Sequence, residues 1–156
     1  MELIYRGTRD GSGCNIFHNK CNNQGPTLVL YKNDKGNILG GYTPISWTSD
    51  NNYHSAKESF LFTLTNIHNL APTKFPNTDS RDSVHHSSNY FSIFGGGHDI
   101  IICNDFLNNS SGTNFPHSYE DILGKGKSIF TWNPNNGSSN IQIKELEVIK
   151  LNIVKE

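Results

Sequence analysis

Thr27-Leu28-Val29-Leu30-Tyr31-Lys32-Asn33-Asp34-Lys35-Gly36-Asn37-Ile38-Leu39-Gly40-Gly41-Tyr42 is the stretch whose reading decides the fold. Two apolar runs, Thr27 to Lys32 and Ile38 to Tyr42, flank Asn33-Asp34-Lys35-Gly36, a composition that fits a hairpin turn. Working outward, Leu3 to Arg6 reads as an opening strand. Ser59 to Leu64 sets Phe60, Leu61 and Phe62 in succession, as expected of a central strand buried on both faces. Val84 to His86, Ser92 to Phe94, Asp99 to Cys103, Ile129 to Trp132 and a long stretch from Ile141 to Ile149 follow. Short apolar runs broken by turn signals predict a mainly β (α+β) chain, a two-sheet antiparallel β-sandwich with short flanking helices. Cys14 to Cys21, carrying Ile16 and Phe17 ahead of polar positions, supplies one such helix.

Composition bounds what this sandwich can be. The 156 residues fit one domain over 1–156, with no internal repeat and no dividing linker. Apolar residues make up 34% and charged residues 17%, so nine Phe, six Tyr and two Trp must carry much of the core. The 21 asparagines cluster in pairs such as Asn22-Asn23, Asn51-Asn52, Asn108-Asn109 and Asn135-Asn136, which read as turns. A net charge of −1 with no concentrated Lys or Arg excludes nucleic acid and anionic lipid as partners. The start, Met1-Glu2-Leu3-Ile4-Tyr5-Arg6, lacks a signal-peptide core, and no apolar run is long enough to insert in a bilayer, so a cytoplasmic location is expected. Cys14, Cys21 and Cys103 are too few and odd in number for a disulfide framework and read as reduced thiols.

Candidate chemistry is sparse. Phe94-Gly95-Gly96-Gly97-His98-Asp99 offers bare backbone N–H groups, but Ile100-Ile101-Ile102 follows as strand, whereas a phosphate loop feeds a helix. Those glycines read first as a turn, a bulge or a close strand approach. His85, His86, His98 and His117 with Asp99 and Cys103 are ligand types without the paired spacing of a closed zinc site, so no metal and no cofactor are expected. Cys103 or Cys21 is the thiol a redox enzyme would use, though nothing local activates either. Glu58, Asp99, Glu145 and Glu147 lack the spacing of an acid–base pair, so no catalytic residue is assigned. Trp47 or Trp132 would serve a ligand- or glycan-binding sandwich, against the commoner packing role of tryptophan.

The order of blocks resembles a family. Leu3-Ile4-Tyr5-Arg6, Arg9-Asp10-Gly11, Phe17-His18 and Gly25-Pro26-Thr27-Leu28 are similar to the opening of TLDc domains. Asn37 to Tyr42 with Trp47, Glu58 to Leu64, Phe94 to Asp99, and Glu145-Leu146-Glu147-Val148 resemble the later blocks in order and spacing. The closing block departs from the animal pattern in having Ile149 near the place of a tryptophan, and the Asn-rich loops look like the divergent protist members. The resemblance implies a β-sandwich with short helices, in proteins linked to oxidative-stress resistance and to binding the vacuolar-type proton ATPase, with no catalytic residues to carry over. It implies a non-catalytic adaptor, at membranes carrying that ATPase or on another large assembly. Glu58, Gly95, Gly96, Gly97, His98 and Asp99 are its candidate partner-binding residues.

Overall fold

The computed structural model describes residues 1–79, 81–131 and 139–153. Strand β1 (Glu2–Arg6) leads through one helical turn, α1 (Gly7–Asp10), into helix α2 (Cys14–Cys21). Strands β2 (Thr27–Asn33) and β3 (Ile38–Thr43) form the hairpin. Then come β4 (Tyr53–His54), β5 (Phe60–Thr63), β6 (Thr73–Pro76), β7 (Val84–His85), β8 (Tyr90–Phe94), β9 (Ile100–Cys103) and β10 (Ser111–Gly112). A 3₁₀ helix at Gly126–Ile129 precedes β11 (Asn140–Ile141) and β12 (Ile143–Lys150). The strands form two six-stranded antiparallel sheets, ordered β1-β12-β2-β3-β5-β6 and β11-β10-β9-β8-β7-β4. This is the expected β-sandwich.

The hairpin turn follows from side-chain chemistry. Asn33 Oδ1 accepts the N–H groups of Lys35 and Asn37, each at 3.0 Å, and Gly36 takes the left-handed φ of +80° that closes the turn. Along β2 the period of two sends Val29 and Tyr31 fully inside and leaves Leu28 and Leu30 half-buried outside. In α2, Cys14, Phe17, His18 and Cys21 share one buried face, and the Phe17 ring meets Tyr5 at 6.0 Å and Phe91 at 5.1 Å. Aromatic rings fill much of the space between the sheets. Phe75, Phe115 and Phe130 form an edge-on triad with centroids 4.8 to 5.6 Å apart.

Four expectations need correction. Ile129 to Trp132 is not read out as a strand: a 3₁₀ helix ends at Ile129, after Gly124 and Gly126 at positive φ, and Trp132 lies outside the described residues. Ile129 and Phe130 are consecutive yet both buried, a pattern that strand alternation does not produce on a one-sided sheet. The stretch from Ile141 to Ile149 is divided at Gln142, where the chain leaves the second sheet as β11 and enters the first as β12. Strand β5 is one place from the edge, between β3 and β6, and so not central. Leu61 faces the other sheet; Phe60 and Phe62 pair with Tyr42 and Gly40 and lie on the outer face, where Phe60 is half-buried and Phe62 is buried as expected.

Candidate functional site

The glycine block joins β8 to β9, and packing accounts for most of it. Gly95 has φ of +91°, and a Cβ there would run into the Asp99 carboxylate. A Cβ at Gly96 would lie 2.9 Å from Asp82 Cβ, and one at Gly97 would overlap the His117 ring. Asp99 is fully buried, and its carboxylate accepts the backbone N–H groups of His117 at 2.8 Å, Ser118 at 3.0 Å and Tyr119 at 3.2 Å. Burial pushes the Asp99 carboxyl above its ordinary range, opposed by those three N–H groups. Among the block's residues His98, half-buried at φ of +59°, offers a side chain to the surface, with Nε2 3.3 Å from the Tyr53 hydroxyl. Glu58 is exposed, on the turn into β5 of the other sheet.

The outer face of the first sheet is graded. Register aligns Leu3, Ile149, Leu28, Tyr42 and Phe60 in one row across β1, β12, β2, β3 and β5. The next row is Arg6, Glu147, Leu30, Gly40, Phe62 and Lys74. The Phe62 ring lies over Gly40, where a Cβ would come within 2.6 Å of it, and Lys74 Nζ sits 4.4 Å from the Phe60 ring. Leu28, Leu30, Phe60, Phe62 and Leu64 line an apolar depression of about 420 Å³ whose charged lining residue is Lys74. Leu64 is 41% exposed. Toward β12 the face turns ionic: Arg6 Nε lies 3.4 Å from Glu145 and 3.6 Å from Glu147.

Cys14, Cys21 and Trp47 are packed in the core, and Cys103 is half-buried. Cys21 is fully buried, and burial pushes its thiol up to about 12; burial also raises Cys14 and Cys103. Each of these shifts runs against formation of the reactive thiolate. Trp47 is 1% exposed, donates from Nε1 to Thr27 Oγ1 at 3.0 Å and packs edge-on against Phe94 at 5.5 Å, so it is core and not a ligand platform.

Of the histidines pooled from the sequence, His85 and His98 are brought together, their rings stacked with centroids 6.4 Å apart. His117 lies under Gly97, while His85 stacks on Tyr53 at 4.4 Å on one side of the β4–β7 pair. His86 meets Asp50 and His54, neither of which the spacing singled out. His86 lies 32 positions after His54, so only the pairing of β4 with β7 reveals that trio. The outer-face rows are equally hidden, because they follow from cross-strand register and not from any motif.

A family model described as TLDc domain matches residues 1–152. The comparison with curated proteins found no match.

Proposed function

The chain belongs to the TLDc family, and we propose that it is a non-catalytic protein-interaction module, an adaptor or regulator linked to oxidative-stress resistance that docks on a large assembly. The vacuolar-type proton ATPase is the assembly to test first. The observation that carries this reading is the apolar depression on the first sheet, where Leu28, Leu30, Phe60 and Leu64 offer surface to a partner. Raised thiols at Cys14, Cys21 and Cys103 weigh against a cysteine-dependent redox enzyme, because the thiolate is the reactive form. Among the described residues no helix is long and apolar enough to cross a membrane, so the adaptor would reach a membrane through its partner.

The test is capture of the detergent-solubilised ATPase by the purified chain, with melting temperature measured on the same samples. Leu30→Lys and Leu64→Lys place a charge in the depression and should leave stability within about 1 kcal/mol of the parent, as for most surface changes. Capture should fall at least about tenfold, the equivalent of 1.4 kcal/mol. Undiminished capture by both variants would move the interface off this face, and failure of the parent to capture the ATPase would remove it as the partner.

A further inference from the structure

We propose that Asp50, His54 and His86 form a binding site for a single divalent transition-metal ion of the zinc type at the edge of the second sheet. Backbone pairing brings the three together. The Asn51 N–H donates to the His86 carbonyl at 2.9 Å, and the His86 N–H donates to the Asn52 carbonyl at 3.0 Å. Asp50 and His54 therefore flank the segment that lies against His86. One ligand atom from each of the three falls within 4.8 Å of the others. Asp50 Oδ2 is 2.8 Å from His54 Nε2, and the His54 and His86 rings are stacked at 4.0 Å.

His86 separates a ligand site from ordinary packing. Its side chain is 1% exposed, Nδ1 lies 2.9 Å from Thr48 Oγ1, and Nε2 is buried with no hydrogen-bond partner. Asn33 Nδ2 and His85 Nδ1 are also buried without a partner, but of these three atoms only His86 Nε2 belongs to the trio, and a buried polar atom left unpartnered beside two other ligand side chains calls for an explanation. In the tautomer whose Nδ1–H donates to Thr48 Oγ1, Nε2 keeps its lone pair free for a metal, and a ligating histidine is oriented in this way through its other ring nitrogen.

Two imidazole nitrogens and one carboxylate oxygen suit Zn²⁺ and its neighbours, with solvent completing the shell, and do not suit Ca²⁺ or Mg²⁺, which take oxygen ligands. Bonds of about 2.0 to 2.2 Å require the trio to contract and the stacked rings to fan apart, because imidazole lone pairs lie in the ring plane. His54 is the ring that turns: its side chain is 31% exposed, and it sits on the two-residue edge strand β4. Bound metal would thus clamp β4 and the segment before it onto the end of β7.

The experiment is titration of the tag-free, metal-free chain with Zn²⁺ by calorimetry, with Co²⁺ as a spectroscopic probe. The parent should bind one ion with a Kd of about 10 μM or tighter. His54→Ala, at a half-buried position, and Asp50→Asn, at an exposed one, should each weaken binding at least about thirtyfold and abolish the visible ligand-field band of Co²⁺, whereas His85→Ala should keep both. His86→Gln should also lose the site, but the His54 and Asp50 variants decide the matter should that core variant fold poorly. A parent Kd weaker than about 1 mM, or parent-strength binding in either His54→Ala or Asp50→Asn, would overturn the proposal.

Discussion

In the β8–β9 turn, Gly95, Gly96 and Gly97 each abut a neighbouring side chain, and the Asp99 carboxylate accepts three backbone N–H groups. On the outer face of the first sheet, Leu28, Leu30, Phe60 and Leu64 keep apolar surface open to solvent. The turn stands out in the sequence, and the open face does not. A run of unusual residues marks a place where the backbone has demanding neighbours, so its contacts are already used by the fold. A surface free to receive a partner needs only ordinary strand residues in the right register.

Asp99→Ala should have the largest effect. It leaves the N–H groups of His117, Ser118 and Tyr119 without their acceptor in a buried site, at about 1 to 3 kcal/mol for each such group and about 3 to 5 kcal/mol together after allowing for relaxation. Typical domains have about 5 to 15 kcal/mol in total, so the variant should show a much lower urea midpoint and partial unfolding near physiological temperature. An unchanged midpoint would mean that the 117–119 segment does not depend on this anchor, and the contrast between the two regions would collapse.

A smaller effect is expected at Glu145, on the ionic side of the open face. Its carboxylate accepts the Thr8 N–H at 3.0 Å and the Thr8 hydroxyl, with Arg6 beside it. Burial alone would raise its pKa, but the Thr8 and Leu146 hydrogen bonds and Arg6 outweigh it, and the net shift is downward. A lowered folded-state pKa stabilises the fold above the unfolded value, about 4.3, and that contribution is lost as pH falls through the folded value. Glu145→Gln should therefore cost about 1 kcal/mol at pH 7, with the gap to the parent narrowing below about pH 4. A gap that stays constant down to pH 2.5 or so would show that the charge is not what ties α1 to β12.

How much was legible follows from the range of each signal. Asn33 and Gly36 act within a few residues, and the hairpin forms over nearly the bounds expected; helix α2 spans Cys14–Cys21 as read. The sandwich class was legible too. Strand β6 was missed because Pro72 and Pro76 argue against a strand, yet it is an edge strand, where a missing N–H is tolerated. Strands β4 and β10 have two residues each and carry no period. Three successive large apolar residues at Phe60, Leu61 and Phe62 hide the alternation that would have assigned Leu61 inward. For the candidate site, Glu58 and His98 were recognisable as exposed or partly exposed polar groups, while the rows Leu28-Tyr42-Phe60 and Leu30-Gly40-Phe62 exist only once β2, β3 and β5 are aligned.

His98→Asn should have the smallest effect, and it sharpens the comparison most. His98 holds φ of +59°, a conformation that Asn adopts readily, so this change tests the side chain without the backbone strain that a β-branched residue would add. Its contact with the Tyr53 hydroxyl at 3.3 Å is long and solvent-accessible, and its loss should shift stability by no more than about 0.5 kcal/mol. Capture of the ATPase should also stay within about twofold of the parent, because a docking surface on the outer face of the first sheet does not include a turn of the second. The discriminating result is the pair of variants measured side by side. Loss of capture with His98→Asn at an unchanged melting temperature, together with normal capture by Leu64→Lys, would return the interface to the glycine turn and make the open apolar face incidental.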